Sequence, residues 1–269
     1  MKHLLAGLAA LILSTVSFAG PRVGPASGAL VVAGGGRLGP DVLNRFIELA
    51  GGTDAPIVYV PTASGGELTD LNRYKGLFAR AGCTNITVLH TRDKAVADTA
   101  EFCEPIENAA AVWFGGGRQW RIYDAYAGTR AERAFRGVLD RGGAIGGSSA
   151  GATIQGSFLV RGSPRGNQIM MAEGHETGFG YLGGVAIDQH VDARSRERDM
   201  LPVIERFPHL LGVGLDEGTA IVVQRDTAEV VGPGRALFYT ADQLTRETPW
   251  TVLTAGDSYN LFEREPIDD

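Results

Sequence analysis

Ser149 is the first residue whose type and surroundings point to chemistry. It lies in residues 147–151, whose sequence GSSAG has the Gly-x-Ser-x-Gly spacing. In such a turn the serine connects a buried strand to a helix, and the flanking glycines let the two elements approach closely. The strained backbone exposes the hydroxyl at the carboxyl end of the sheet. Ser149 is therefore a candidate nucleophile. The alternative is a turn whose small residues serve tight packing alone.

A serine hydroxyl becomes an effective nucleophile when a neighbouring base accepts its proton. His190 is the preferred base because it follows the apolar run 183–187. That position places it at the carboxyl end of a strand, where the active sites of parallel sheets gather. His90 also follows a predicted strand and is the alternative base. His175 and His209 lie in predicted loops and are expected to be surface histidines.

A third group has to orient the imidazole of a catalytic histidine. Glu217 is the first choice because it follows the strand-like run 213–215. Asp216 and Glu173 are the alternatives. One of the two adjacent acids at 216 and 217 is expected to cap the following turn.

An oxyanion formed by attack of the serine needs amide donors aimed at one point. The amide of Ala150 begins the helix after the nucleophile turn and points toward that place. Gly116 and Gly117 belong to the glycine run 115–117, which follows another predicted strand. They are the candidates for a second donor.

A second glycine run, GGGRLG at 34–39, matches the dinucleotide pattern GxGxxG. The acidic residue expected at the end of the next strand is missing, so a dinucleotide site is not favoured. A metal hydrolase built on His175, Glu176 and His190 is a further alternative, but the HExxH-type spacing is absent. The sequence therefore predicts neither a metal nor an organic cofactor.

Apolar runs alternate with helical patterns along most of the chain. This alternation predicts an α/β fold with a mainly parallel sheet flanked by helices on both faces, and a serine at a strand–helix turn. Strands separated by turns near the end predict a short antiparallel edge. The predicted strands include 29–33, 56–60, 85–89, 109–114, 221–224, 228–231 and 251–254, and the predicted helices include 40–50, 69–81, 120–141 and 194–207.

Residues 1–19 have the features of a secretory signal peptide. A weakly basic start precedes an apolar run, and small residues precede a cleavage site after Ala19. An uncleaved anchor is the alternative. Residues 20–28 are predicted to be a flexible lead-in, and 29–269 a single α/β domain. The mature protein is expected to be secreted or periplasmic, and free of the membrane once the signal is cleaved.

The formal net charge of −6 argues against a nucleic-acid partner, because phosphate binding requires a clustered positive face. Cys83 and Cys103 both lie in the exported part. A disulfide between them and two buried free thiols both fit an oxidising compartment. The sequence does not decide the oligomeric state, and a homodimer is one option.

Six segments together resemble the cyanophycinase family of S51 serine peptidases, relatives of the aspartyl dipeptidases. They occur in the family's order. The resemblance implies a peptidase domain over 29–269 with Ser149 as nucleophile and His190 as base, and it is consistent with Glu217 as the acid. The segments are VVAGGG at 31–36, YVPTAS at 59–64, FGGGRQ at 114–119, GSSAGA at 147–152, IDQH at 187–190 and GLDEGTA at 214–220.

The resemblance also implies a substrate. It predicts hydrolysis, through an acyl-enzyme, of cyanophycin (multi-L-arginyl-poly-L-aspartate) or of related aspartyl or isoaspartyl peptides. Such substrates carry carboxylates and guanidinium groups, which are recognised by arginines and by acids or amides. The candidate substrate-binding residues are Gln119, Asp188, Gln189, Arg194 and Arg196. A solvated helix face is the other interpretation of the two arginines. A non-catalytic periplasmic binding protein for charged peptides is the alternative function.

Three positions depart from the family's pattern, in which His-Phe-x-x-Arg-x-Arg-x-x-Arg is typical. Val191 replaces the aromatic residue, and Asp199 stands where the third arginine is expected. Arg118 adds a positive charge to the glycine loop. These changes leave the hydrolytic residues in place but alter the charge of the pocket, so cyanophycin and related peptides both remain candidate substrates.

Overall fold

Two mixed β-sheets organise residues 23–268, the part of the chain that the computed structural model describes. The predicted signal peptide at 1–19 lies outside the described residues, as does the start of the predicted lead-in. The strands are β1 (Ala29–Ala33), β2 (Ile57–Val60), β3 (Ile86–Val88), β4 (Ala111–Phe114), β5 (Ala144–Ser148), β6 (Gly156–Phe158), β7 (Leu182–Gln189), β8 (Leu211–Leu215), β9 (Ala220–Gln224), β10 (Thr227–Val231), β11 (Ala236–Tyr239), β12 (Thr251–Leu253), β13 (Ser258–Asn260) and β14 (Glu265–Ile267).

Most of the helices are short. They are α1 (Pro40–Leu49), α2 (Gly76–Ala79), α3 (Lys94–Ala97), α4 (Ala100–Glu107), α5 (Gln119–Tyr126), α6 (Arg130–Asp140), α7 (Ala150–Thr153) and α8 (Leu201–Arg206). Three 3-10 turns accompany them at Asn72–Lys75, Asp192–Arg194 and Ala241–Gln243.

The first sheet has nine strands in the order β14-β13-β10-β9-β1-β5-β4-β2-β3. The pairs from β1 through β5, β4 and β2 to β3 are parallel, and the pairs from β1 through β9 to β14 are antiparallel. The second sheet has the order β12-β11-β8-β7-β6 and is also half parallel. The α/β prediction is confirmed. The structure differs from the predicted single, mainly parallel sheet because its strands form two mixed sheets. The strand predicted at 251–254 pairs in the second sheet.

Alternate residues of β1 face two separate apolar layers. Val31 packs in a cluster with α1 and α2 on one face of the first sheet. Leu30 and Val32 belong to the opposite cluster, which includes α4 to α6 and also strands of the second sheet. The two sheets therefore share one core, because burying both faces of β1 requires partners on each side.

Helix α7 lies where this shared core is tightest, in contact with β1, β4, β5 and β7. Its sequence is AGAT, and small side chains are what the space allows. A Cβ on Gly147 would overlap the carbonyl of Gly151, and a Cβ on Gly151 would overlap the carbonyl of Phe114. The glycines of the GSSAG segment thus let α7 pack against the sheet backbone.

Two predicted helices are shorter than their sequence patterns indicated. The pattern at 69–81 forms only the 3-10 turn Asn72–Lys75 followed by α2. The pattern at 194–207 forms only α8, because Ser195 takes a left-handed conformation with φ 52°. A helix cannot continue through a residue in that region, so it begins again at Leu201.

The two cysteines are free and buried. Cys103 packs in the cluster beneath α4, and Cys83 packs in the cluster on the other face of the first sheet. The disulfide alternative is therefore wrong, since the sheet separates the two thiols. Burial raises the pKa of each thiol. No helix within residues 23–268 is long and apolar enough to span a bilayer.

The close packing of α7 against the sheet backbone leads to a prediction about stability. Gly151→Ala should lower the free energy of unfolding by about 1–3 kcal/mol, the usual cost of adding a methyl group to a packed core. Gly166→Ala is the matched control, because nothing lies within 4 Å of a Cβ there, and it should stay within about 0.5 kcal/mol of the parent. Urea unfolding with fitted slopes measures both. Equal stability of the two variants would contradict the packing argument.

Candidate active site

Ser149 lies between β5 and α7 with φ 57° and ψ −113°. A non-glycine residue at positive φ is strained, so the surroundings must hold it there. Its amide donates to the carbonyl of Ala33 at 3.0 Å, and its carbonyl accepts from the amides of Ala152 and Thr153. The hydroxyl therefore projects from a backbone that is fixed on both sides.

His190 follows β7 and also has a positive φ of 57°. Its amide donates to the carbonyl of Gly34 at 2.9 Å. Since β5 belongs to the first sheet and β7 to the second, Ser149 and His190 meet at the junction of the two sheets. Neither side chain could be placed against the other by one sheet alone.

The side chains of Ser149, His190 and Glu217 form a hydrogen-bonded chain. His190 Nε2 lies 2.9 Å from Ser149 Oγ, and His190 Nδ1 lies 2.5 Å from Glu217 Oε1. A carboxylate can only accept, so Nδ1 carries the proton and Nε2 is left to accept the serine hydroxyl proton. This is the arrangement that a serine nucleophile, a base and an orienting acid require.

The glycine run at 34–36 supports this chain of side chains directly. A Cβ on Gly35, which has φ 110°, would overlap the His190 ring. A Cβ on Gly36, with φ 66°, would lie 2.5 Å from Glu217 Oε2. The run therefore supplies a bare backbone surface beneath the imidazole and the carboxylate, which accounts for these glycines without a dinucleotide.

The alternative acids occupy other places. Asp216 is buried, and its carboxylate binds the side chain of Arg235 at 2.8 Å and accepts from the amide of Asp192. Glu173 is exposed in the loop before β7. The carboxylate of Asp192 accepts from the amide of Glu217 at 2.9 Å and holds the backbone of that acid.

His90, the alternative base, lies in a different network. Its Nδ1 is 2.9 Å from Thr62 Oγ1, which is also 2.6 Å from the hydroxyl of buried Tyr126. The hydroxyl of Ser149 instead meets His190. Among residues 23–268, no group of three or more His, Cys, Asp or Glu side chains could hold a metal ion. The set of His175, Glu176 and His190 is therefore not such a group.

The pKa of His190 is lowered, mainly because burial disfavours the charged imidazolium. The positive charges of Arg194 and Arg196 lower it further, and the hydrogen bond and charge of Glu217 oppose the shift. His190 is therefore neutral at neutral pH, which is the state a general base needs.

The candidate oxyanion donors lie around the serine as follows. A Cβ on Gly116 would be 3.4 Å from Ser149 Cβ, so this backbone passes directly beside the nucleophile. Within the part of the chain that the structure describes, the amides of Gly116 and Ala150 donate to no protein acceptor. The amide of Gly115 is bound to Val60, and Gly117 packs against the carbonyl of Ala63. The oxyanion role of Ala150, Gly116 and Gly117 remains a prediction.

Four of the five residues predicted to bind substrate are buried and bound within the protein. The Gln119 side chain donates to the carbonyl of Val160 at 2.7 Å. Arg196 donates to both the carbonyl and the side chain of Gln189. Arg194 is exposed.

Asp188 is engaged by a residue that the sequence patterns did not indicate. Arg161, only 1% exposed, donates to both oxygens of Asp188 at 2.7 and 2.8 Å. It also pairs with Asp199 at 2.5 Å. A single arginine after a short apolar run carries no local signal of such a role. The acid at position 199, where the resemblance implied an arginine, has its partner in Arg161. Substrate contacts by these residues remain predictions.

A cleft of about 870 Å³ opens beside Ser149. It includes two arginines, Arg37 and Arg80, that sequence reasoning did not propose, although Arg37 directly follows the supporting glycine run. Burial raises the pKa of Tyr59 to about 12, so its phenol in the cleft wall stays protonated. The cleft is lined by Gly36, Arg37, Leu38, Pro40, Leu43, Asn44, Tyr59, Leu77, Arg80, Ala81, Trp113, Gly116, Ser148, Ser149 and His190.

Comparison with known proteins gives one consistent result. Residues 30–231 match the model of peptidase family S51. A cyanophycinase of Geminocystis herdmanii is 32% identical over 251 residues, which cover 85% of this chain and 91% of the relative. A cyanophycinase of Trichormus variabilis is 28% identical over 249 residues, covering 84% and 82%. A crystal structure of a peptidase from an acI-B1 actinobacterium shares the fold, with a TM-score of 0.68, 24% identity, and coverage of 87% of this chain and 97% of that one.

The electrostatic environment of His190 can be tested without an activity assay. Arg194→Gln removes a positive charge that lowers the pKa of His190, so that pKa should rise. Titration of the imidazole signals by NMR, assigned with His190→Gln, measures the shift. Arg198→Gln, a nearby exposed arginine outside the set of charges acting on His190, should leave the pKa where it was. An unchanged or lower pKa in Arg194→Gln would contradict this account.

Proposed function

Because the chain belongs to peptidase family S51 and is a serine-type peptidase, we propose that it cleaves aspartyl peptides through an acyl-enzyme on Ser149. The observation that carries the proposal is the hydrogen-bonded chain from Ser149 through His190 to Glu217. Membership of a peptidase family favours an enzyme over the binding-protein alternative.

In the proposed reaction, Ser149 Oγ attacks the scissile carbonyl while His190 Nε2 takes the hydroxyl proton. Glu217 holds Nδ1–H and stabilises the imidazolium that forms. The amides of Ala150 and Gly116 donate to the oxyanion of the tetrahedral intermediate. His190 then protonates the leaving amine, the carbon–nitrogen bond breaks, and a water activated by His190 hydrolyses the acyl-enzyme.

The proposed substrate is cyanophycin, or a related aspartyl or isoaspartyl peptide. Support comes from the relatives named cyanophycinase, which align over more than four fifths of this chain. The cleft volume is also within the range of small-molecule and short-peptide sites. Cleavage after Ala19 and a secreted or periplasmic location belong to the same proposal, and they rest on the sequence alone.

Incubating the purified protein with cyanophycin, and separately with short isoaspartyl peptides, tests the substrate. Identification of the products by mass shows which bonds break. Release of β-aspartyl-arginine supports the polymer as substrate, and cleavage of the short peptides alone supports the related class. Intact substrate in both incubations would contradict the proposal.

Loss of the nucleophile gives the most direct prediction. Ser149→Ala should lower turnover roughly a millionfold, as removal of a serine nucleophile does in comparable enzymes, and should abolish labelling by a fluorophosphonate probe. Ser148→Ala is the matched control for the adjacent hydroxyl, and it should still be labelled at residue 149. Labelling that persists in Ser149→Ala, or disappears in Ser148→Ala, would place the nucleophile elsewhere.

The orienting acid can be separated from its rival by a pair of isosteric variants. Glu217→Gln should lower kcat on the order of 10⁴-fold, because the amide can donate to Nδ1 and favour the tautomer in which Nε2 carries the proton and cannot accept one from Ser149. Glu173→Gln, at the exposed alternative, should keep the parent rate. Steady-state kinetics on the substrate identified above compares the two. A large loss in Glu173→Gln with little in Glu217→Gln would reverse the assignment.

A further inference from the structure

The wall formed by α1, α2 and the loop before α1 contributes two arginines to the cleft that contains Ser149. Arg37 and Arg80 both line the cleft that contains Ser149 and His190, and both are exposed. Among the hydrogen bonds and ion pairs of residues 23–268, neither guanidinium has a protein partner. Two arginines that line one cleft and have no protein partner favour an anionic occupant.

Other arginines around the site are already engaged. Arg161 and Arg196 are buried and bound to β7. Arg118 donates to the carbonyl of Ser163, and Arg121 donates to the carbonyl of Ala63. Arg194 is exposed but does not line the cleft. Among the described residues, the arginines and lysines that line the cleft are Arg37 and Arg80.

The other residues that line the cleft indicate the chemical class of the molecule that would bind there. None of the described residues lining the cleft is acidic. Apart from the arginines, Ser148, Ser149 and His190, the polar side chains of the lining are Asn44 and Tyr59, and the rest of the wall includes apolar residues such as Leu77 and Trp113. A guanidinium or ammonium group would find no carboxylate among these lining residues, whereas a carboxylate would find two arginines.

We infer that Arg37 and Arg80 form a subsite for a carboxylate of the substrate, next to Ser149. The inference rests on the proposed function and narrows it to substrates with a free carboxylate near the scissile bond. Two sources supply that group, the side chain of an aspartyl residue and the terminal α-carboxylate of a short peptide. None of the substrate-binding residues that sequence reasoning proposed at the end of β7 is among the residues lining this cleft.

Binding to Ser149→Ala tests the subsite apart from hydrolysis. The ligands are an aspartyl dipeptide, its asparaginyl counterpart and its C-terminal amide, with affinities measured by calorimetry. The Ser149→Ala protein should bind the aspartyl dipeptide at least about tenfold more tightly than the analogue that lacks the recognised carboxylate. A tenfold difference is the scale of one hydrogen bond to a charged group. Adding Arg37→Gln or Arg80→Gln should remove most of that preference. Adding Arg206→Gln, an exposed arginine on α8 outside the cleft, should preserve it.

The pattern of losses identifies the source of the carboxylate. A preference over the asparaginyl peptide identifies the side chain, and a preference over the C-terminal amide identifies the terminus. Equal affinities for all three ligands, or a preference that survives both glutamine variants, would overturn the subsite. Failure of the proposed function is a separate result, because it would appear as absent hydrolysis and labelling in the unmodified enzyme while this binding preference persists.

Discussion

Three consecutive carbonyls at the end of β1 hold the active site together. Ala33 accepts the amide of Ser149, Gly34 accepts the amide of His190, and Gly35 accepts the amide of Gly218, the neighbour of Glu217. Each segment comes from a different part of the chain, and they reach this point from both sheets. Because these backbone hydrogen bonds are made to consecutive peptide units, the spacing of those units sets the spacing of the segments that carry Ser149, His190 and Glu217.

Such an arrangement requires glycine wherever backbone must touch backbone or ring. Gly35 lies beneath the imidazole, and Gly147 and Gly151 let α7 enter between the sheets. Ser149 and His190 meanwhile adopt positive φ angles that cost free energy. The hydrogen bonds from their amides to β1 offset that cost, so strain at the two reactive residues persists only because the surrounding backbone is paired.

The sequence could indicate the parts of the candidate site that depend on the local succession of strand and loop residues. Ser149, His190 and Glu217 each follow an apolar run, and the carboxyl ends of strands collect side chains that do chemistry. It could not predict that β7 and β8 leave the first sheet, because strand partners are chosen over long separations. The helix expected over 194–207 begins only at Leu201 for a local reason, the left-handed Ser195, which no composition rule indicates.

The charged residues near the end of β7 form ion pairs within the protein. From the sequence alone, this structural role could not be distinguished from substrate binding. Arg161, Asp188 and Asp199 pair inside the protein, and the burial of Arg161 and Asp188 is tolerated because each has a hydrogen-bonded partner. Asp188 lies two residues before His190, so this network fixes the end of the strand from which the base projects. The buried ion pair of Arg161 and Asp188 therefore helps to fix the position of His190. Arg37 and Arg80, by contrast, line the cleft and have no hydrogen-bonded or ion-paired partner within residues 23–268, so a bound molecule can reach them.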